Sequence, residues 1–321
     1  MIHTNSIVWN PSEGIDLGFF VIRYYSLMFV IAFGLGWMIM KKIFERENEP
    51  DEKLDSLFIW TVFATLLGAR LGHVFFYDWP YFQNHLGEIL LPVKFNPFRF
   101  TGFTGLASHG AAISIIIAMY FFSKKIMQRP MLWILDRIVI PVASGAIFVR
   151  LGNFFNSEIY GNPTDGSKFY AVKFVKDDEF WNGKDVMQVT GANTEKLGYD
   201  AIATNPQFQS ILESISYRHP AQLYEAFGYI FVFLFLYIAY WKTDIRNKQG
   251  ALLGWFLILL WSVRFVVEYV KESQGGFEES LGTFSTGQWL SIPFVIIGIL
   301  LVANNGKDVR RFFGKNTSTV K

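Results

Sequence analysis

Three arginines stand inside apolar stretches of this chain, Arg70, Arg150 and Arg264, and an acid follows each: Asp78, Glu158 and Glu268. An arginine at the middle of a membrane span costs about 2.5–3.5 kcal/mol on insertion scales, so it needs a partner or a use. A guanidinium cannot lose its charge and can hold two phosphate oxygens at once, which suits the head of an anionic lipid. In a site that breaks the phosphate ester, the same groups would stabilise the anionic leaving group. A neutral imidazole is the obvious acceptor for a proton from an incoming nucleophile near neutral pH. His109, in Ser-His-Gly, is of that type, although from spacing alone it reads as a hydrogen-bonded packing residue. The densest polar run inside the apolar part is 149–161, with Arg150, Asn153, Asn156 and Glu158.

Other chemistries find no support. Cysteine is absent, so any thiol must arrive with the substrate. The five histidines are scattered, with no His-x-x-x-His pair on one helix face, and no metal site or other cofactor is expected. Phosphate-loop and dinucleotide glycine patterns are missing, as is a Gly-x-Ser-x-Gly elbow. A net charge of +2, with basic residues dispersed between apolar runs, does not suggest a nucleic-acid partner.

The elements that must position these residues are membrane helices. Of 321 residues 51% are hydrophobic, 18% aromatic and only 17% charged, a membrane composition. Seven apolar runs approach the roughly 20 residues a span requires: about 18–40, 56–77, 105–123, 133–155, 221–241, 250–270 and 287–304, with Pro141 interrupting the fourth. The first seventeen residues are polar and lack a basic n-region and a cleavage pattern, so the first run reads as a retained span. Lys41, Lys42, Arg46 and Lys53, then Lys124, Lys125 and Arg129, then Lys242, Arg246 and Lys248, mark one side as cytoplasmic, together with Lys307, Arg310, Arg311, Lys315 and Lys321. The expected fold is therefore an all-α polytopic membrane protein with seven transmembrane helices, the N-terminus periplasmic and the C-terminus cytoplasmic. Residues 1–155 would form a four-span part with an aromatic interfacial arm at 78–104, residues 156–220 a periplasmic head, 221–304 a three-span part and 305–321 a cytoplasmic tail.

Depth brings the polar residues together. Spans two, four and six run outward, and each carries its arginine about 14–16 residues from the inner end, roughly 21–24 Å along the helix. Tyr25, His109, Arg218, His219, Gln222, Tyr224 and Glu225 meet the same layer from the inward-running spans. The structural alternative is ion pairing of Arg150 with Glu158 and Arg264 with Glu268, snorkelling for Arg70, and a plain helix start at Arg218-His219-Pro220. Glycines 34, 36, 68, 72, 145 and 152 are expected to permit close helix contact. Ala-Arg-Leu-Gly in span two and Val-Arg-Leu-Gly in span four hint at an internal repeat.

The 149–161 stretch resembles the signature of the bacterial prolipoprotein diacylglyceryl transferases, Arg-x-Gly-Asn-Phe-x-Asn-x-Glu-x-x-Gly, and closes on Gly161. The resemblance extends through Arg23-Tyr24-Tyr25-Ser26-Leu27-Met28, Gly68-Ala69-Arg70-Leu71-Gly72, Ser108-His109-Gly110, the run from Arg218 to Glu225, and Arg264 with Glu268. It implies an enzyme of the bacterial inner membrane whose site faces the outer leaflet. The implied partners are phosphatidylglycerol, preprolipoprotein lipobox peptides and the lipid bilayer. The diacylglyceryl group would pass to the lipobox cysteine as a thioether, releasing glycerol phosphate. By the same resemblance Arg150 and Arg264 would hold the phosphate and His109 would take the thiol proton. Tyr25, Asn153, Glu158 and Glu268 would position lipid and arginines, with Arg70, Asn156, Gly161, Arg218, His219, Gln222 and Tyr224 completing the binding surface. The chain departs from the pattern at Ala111 and Val149, where glycines are usual, and at Leu260, where a tyrosine is expected. The rival reading is a transporter or flippase that binds an anionic head group. It predicts polar residues through the inner halves of the spans, which are instead almost uniformly apolar.

Overall fold

The computed structural model describes residues 7–18, 21–91, 93–95, 98–100, 107–272 and 284–304. The expected tail 305–321, residues 92, 96–97 and 101–104 of the arm and the first residues of the third span lie outside the described residues. Six helices are long and apolar enough to cross a hydrocarbon core: α1 (Tyr24–Glu47), α2 (Asp51–Phe76), a helix at His109–Met127, α5 (Met131–Phe155), α10 (Ala221–Lys242) and α12 (Thr286–Ala303). The sixth expected span is α11 (Ala251–Val267), apolar apart from Ser262 and Arg264 near its end but, at 1.5 Å per residue, only about 25 Å long.

Hydropathy locates the apolar middle of each helix, whereas the helices run on into charged ends. A short hairpin, β2 (Gly14–Asp16) against β3 (Val21–Arg23), delays the start of α1 to Tyr24, and the helix then continues through Lys41, Lys42 and Arg46. Asn48 turns left-handed at φ 55° and Pro50 cannot continue a helix, so α1 and α2 separate there. Asp51 and Glu52 fill the first turn of α2, where the helix dipole favours acids. The expected interruption at Pro141 does not occur: α5 passes through it unbroken. Such prolines are tolerated in membrane helices because neighbouring groups re-satisfy the freed carbonyl.

The chain divides into two compact units, residues 37–138 and residues 1–36 with 139–321. In the first of these, α2 lies against α4 (Ser108–Phe122), which carries on through a wider turn to Met127. A Cβ on Gly110 would run into the Gly68 carbonyl and the Gly72 backbone, so this contact depends on glycine. Gly34, by contrast, has open space around it. The arm holds α3 (Trp79–Phe82) and a hairpin of β4 (Val93–Phe95) with β5 (Phe98–Phe100). Glu88 ties them, accepting from the Tyr81 hydroxyl at 2.7 Å and the Phe95 N–H at 2.8 Å.

In the second unit α10, α11 and α12 follow one another, and α11 meets α12 where the Gly254 and Gly298 backbones approach. The segment 156–220 folds around its own apolar core of Val175, Trp181, Val186, Ile202, Leu212 and Ile215. It carries β6 (Val172–Phe174), α6 (Asp178–Trp181), α7 (Val186–Thr190), α8 (Glu195–Thr204) and α9 (Gln209–Ser214). β6 pairs in parallel with β1 (Ile7–Trp9), tying this segment to the residues before α1.

Candidate functional site

Five helix ends of the second unit share one polar layer: the last turns of α5 and α11 and the first turns of α1, α10 and α12. Arg150, five residues from the end of α5, ion-pairs through Nε with Glu225 of α10, which is 1% exposed. Its terminal nitrogen donates to Asn153 Oδ1 at 3.3 Å, and Asn153 donates in turn to Glu158 at 2.8 Å. Asn156 donates to the same carboxylate at 3.4 Å, and Gln222 Nε2 donates to the Glu158 carbonyl at 2.7 Å. Tyr25 stands beside Asn153, Arg150 and Glu158, in a space that exists because residue 152 is glycine: a Cβ there would press on the tyrosine ring.

The backbone after α5 explains this placement. Ser157 and Ile159 both adopt left-handed φ, 56° and 61°, which is unusual for any side chain and more so for a β-branched one. The kink turns Glu158 back toward α5, where its N–H meets the Asn153 carbonyl at 3.0 Å. The chain then pairs on both sides. Gly161 N–H bonds the His219 carbonyl and Asn162 N–H the Val270 carbonyl, each at 2.8 Å. A Cβ at Gly161 would collide with both the Val270 carbonyl and His219, so glycine is required at this crossing.

Arg264 differs from Arg150. Among the described residues it forms no ion pair. Its Nε is buried without a hydrogen-bond partner, and its guanidinium lies 5.4 Å from the Trp261 ring. Glu268 does not answer it: its carboxylate lies 3.6 Å from Lys271 Nζ, in a socket that a side chain at Gly287 would fill. Tyr229 on α10 stands beside both arginines. Gln222 Oε1, Glu225 Oε1 and Arg264 Nε are buried without a hydrogen-bond partner, and Glu268 Oε2, buried too, has the Lys271 ammonium only at ion-pair distance, beyond a hydrogen bond. Each buried polar atom left without a hydrogen bond costs about 1–3 kcal/mol, so a layer that holds several of them is the candidate site.

Arg218 is enclosed. Its guanidinium, 1% exposed, bonds Asp177 and Glu179, reaches Glu272 at 3.2 Å and lies 4.7 Å from the Tyr160 ring. Burial alone would lower its pKa, but the hydrogen bonds to Asp177 and Glu179 hold it above its usual value. Burial also raises the Glu272 carboxyl. His219 stacks on Tyr170 at 5.2 Å, with Nδ1 3.3 Å from the Tyr224 hydroxyl, and burial lowers its pKa. Arg70 and His109 belong to the other unit. Arg70 is 7% exposed and donates to the backbone carbonyls of Ile89 at 2.7 Å and Glu88 at 2.8 Å, which anchors the arm. His109 is exposed in the first turn of α4.

The layer thus gathers Tyr25, Arg150, Asn153, Asn156, Glu158, Gln222, Arg264 and Glu268, and the pairs of the structural alternative, Arg150 with Glu158 and Arg264 with Glu268, are not among the ion pairs of the described residues. Eight residues after Arg150 the chain has left its helix, and Glu225, approaching from α10, takes the arginine while Glu158 turns to amides. Tyr229 and Lys271 escape the sequence reading. Tyr229 was findable, because Gln222, Glu225 and Tyr229 recur at three and four residues on one helix face. Lys271 was not, since it lies beyond the end of α11 and is placed by backbone pairing.

A family profile described as prolipoprotein diacylglyceryl transferase matches residues 13–304. The chain is similar to the phosphatidylglycerol–prolipoprotein diacylglyceryl transferase of Chloroherpeton thalassium, 37% identical over 305 residues covering 95% of this chain and 96% of that one. Proteins of the same name from Bacteroides fragilis, 36% identical over 94% of this chain and 96% of theirs, and Tolumonas auensis, 34% identical over 95% and 100%, are similar along their whole length. With the profile spanning nearly every described element, this multi-pass membrane chain belongs to the prolipoprotein diacylglyceryl transferase family.

Proposed function

We propose that this protein is a phosphatidylglycerol–prolipoprotein diacylglyceryl transferase: it moves the diacylglyceryl group of phosphatidylglycerol to the lipobox cysteine of a preprolipoprotein. The family membership supports this reading, and the observation that carries it is Arg264, a cation with a buried, unpartnered nitrogen inside a layer of unpartnered polar atoms. In the transfer, the cysteine sulfur attacks the glyceryl carbon that bears the phosphate ester. A C–S bond forms, the C–O bond breaks, and its electron pair leaves on the phosphate oxygen as glycerol phosphate. Arg264 holds that phosphate directly. Arg150, kept in place by Glu225 and Asn153, adds positive charge at the same height.

The thiol proton goes to His109, the group the resemblance offers for it; its exposed place at the start of α4 leaves it open to substrate. Tyr25, Asn153, Asn156, Glu158, Gly161, Gln222 and Glu268 form the wall of the head-group site, and Tyr229 supplies a phenol beside the arginines where the tyrosine expected near Leu260 is missing. Arg218 and His219 support that wall from the segment 156–220 and Tyr224 from the first turn of α10, and Arg70 supports the arm. We further propose seven spans in the inner membrane, α11 included, with the N-terminus and 156–220 on the periplasmic side, the C-terminus in the cytoplasm and the site facing the outer leaflet. The basic residues between the spans support this orientation.

Purified protein in detergent, given phosphatidylglycerol and a lipobox peptide with cysteine or serine, tests the reading by peptide mass. A diacylglyceryl gain on the cysteine peptide alone is expected. Lipid consumption without peptide modification would instead indicate a hydrolase.

A further inference from the structure

Arg264 and Glu268 are four residues apart at the end of α11, the spacing at which an arginine and a carboxylate on one helix pair by default. They do not pair here. The carboxylate is drawn to Lys271, 3.6 Å away, and Arg264 keeps its Nε free. Lys271 arrives from the backbone. α11 stops at Val267, a turn follows, and Val270–Glu272 runs along Tyr160–Asn162, with Asn162 N–H on the Val270 carbonyl at 2.8 Å and Glu272 N–H on the Tyr160 carbonyl at 3.3 Å. This pairing sets Lys271 opposite Gly161, and its amine turns inward until the residue is 6% exposed, facing Glu225, Glu268, Arg150 and Arg264. Of those cations Arg150 is committed to Glu225, and among the described residues Glu268, seated against Gly287 and one helical turn from Arg264, is the acid left to pair with it.

We propose that Lys271 is a positioning and specificity-determining residue: by holding the Glu268 carboxylate it keeps Arg264 uncommitted, so that the arginine is reserved for the phosphate of the lipid donor. Without the lysine ammonium, Glu268 swings to Arg264 and occupies the phosphate's place from within. The inference rests on the reading of this layer as a phospholipid head-group site. It assigns to the crossing of 160–162 with 270–272 a part in donor recognition, since that pairing delivers the lysine.

The test is a cycle of variants of the full-length protein in detergent, with kcat and KM for phosphatidylglycerol measured at saturating lipobox peptide. Lys271→Met is expected to raise KM by about tenfold or more, the worth of one charge-assisted contact, while kcat changes by less than about threefold. Lys271→Arg, which keeps the charge, holds KM near the wild-type value. In a Glu268→Gln background the same Lys271→Met change moves KM by less than about threefold, because the competing carboxylate is gone. An unchanged KM in Lys271→Met, an equal rise with and without Glu268, or a loss confined to kcat would overturn the proposal. Absence of transfer by the wild-type protein would overturn the head-group reading and this inference with it, an outcome distinguishable because no variant would then yield a KM.

Discussion

The surroundings of Arg218 and Arg264 hold similar inventories of charge, arranged to opposite effect. Around Arg218 three acids, Asp177, Glu179 and Glu272, converge on one guanidinium, and the Tyr160 ring closes its face. Asp177 also caps α6 by accepting the Phe180 N–H at 3.1 Å, so the cage is continuous with the local fold. Among the described residues no acid comes within ion-pair distance of Arg264, and the acids of its layer have other partners: Glu225 with Arg150, Glu268 with Lys271, Glu158 with Asn153 and Asn156. The difference teaches that the number of opposite charges in a buried layer does not separate structure from function. The distribution of partners is the difference: Arg218 is satisfied by the chain itself, whereas the head-group reading proposed for Arg264 rests on its buried Nε having no hydrogen-bond partner.

Removing each arginine should break the molecule differently. Arg218→Met leaves Asp177 buried without its cation, a loss of about 3–5 kcal/mol, read as a large drop in melting temperature in detergent. Near-wild-type melting would mean the cage is not structural. Arg264→Ala should lower transfer by about a hundred- to a thousandfold, as loss of a leaving-group stabiliser does, while melting stays close to wild type. Full turnover in that variant would remove the phosphate clamp. Tyr229→Phe sharpens the contrast, with an expected fall in rate of about two- to tenfold from loss of one hydrogen bond and no change in melting.

The smallest effect concerns pH. Burial lowers the His219 pKa, so the folded protein binds fewer protons than the unfolded chain near the ordinary histidine range. The stability from His219 is therefore present above that range and is lost as pH falls through it. Melting should decline on acidification, and His219→Gln should flatten that step; an identical slope in the variant would remove His219 as its source.

Much of the layer could be read from the chain because its members stand at extremes of composition. Arg150, Asn153 and Glu158 are polar residues crowded against an apolar run, and a charge in hydrocarbon announces itself in any sequence. The helices were legible for the same reason, although their ends were not. Hydropathy is blind to the polar turns that carry α1 on to Glu47 and start α2 at Asp51, and these depend on Asn48, Pro50 and the helix dipole. Pairing within the layer was the illegible part. Glu225 reaches Arg150 from another helix, and Lys271 reaches Glu268 only after the segments 160–162 and 270–272 have joined. Both contacts depend on tertiary placement, which one-dimensional spacing does not encode. Arg70 shows the converse: sequence places it at site depth, and the structure spends it on the carbonyls of Glu88 and Ile89.

The most direct test of the contrast is equilibrium binding of phosphatidylglycerol, without peptide, to wild-type protein and to Arg264→Ala, followed by the phosphorus-31 signal of the lipid in detergent. The wild-type protein should shift or broaden that signal at concentrations where Arg264→Ala, folded to the same melting temperature, requires about tenfold more protein. Equal binding by the two would show that the lipid phosphate does not rest on Arg264, and the distinction drawn between the two arginines would fall.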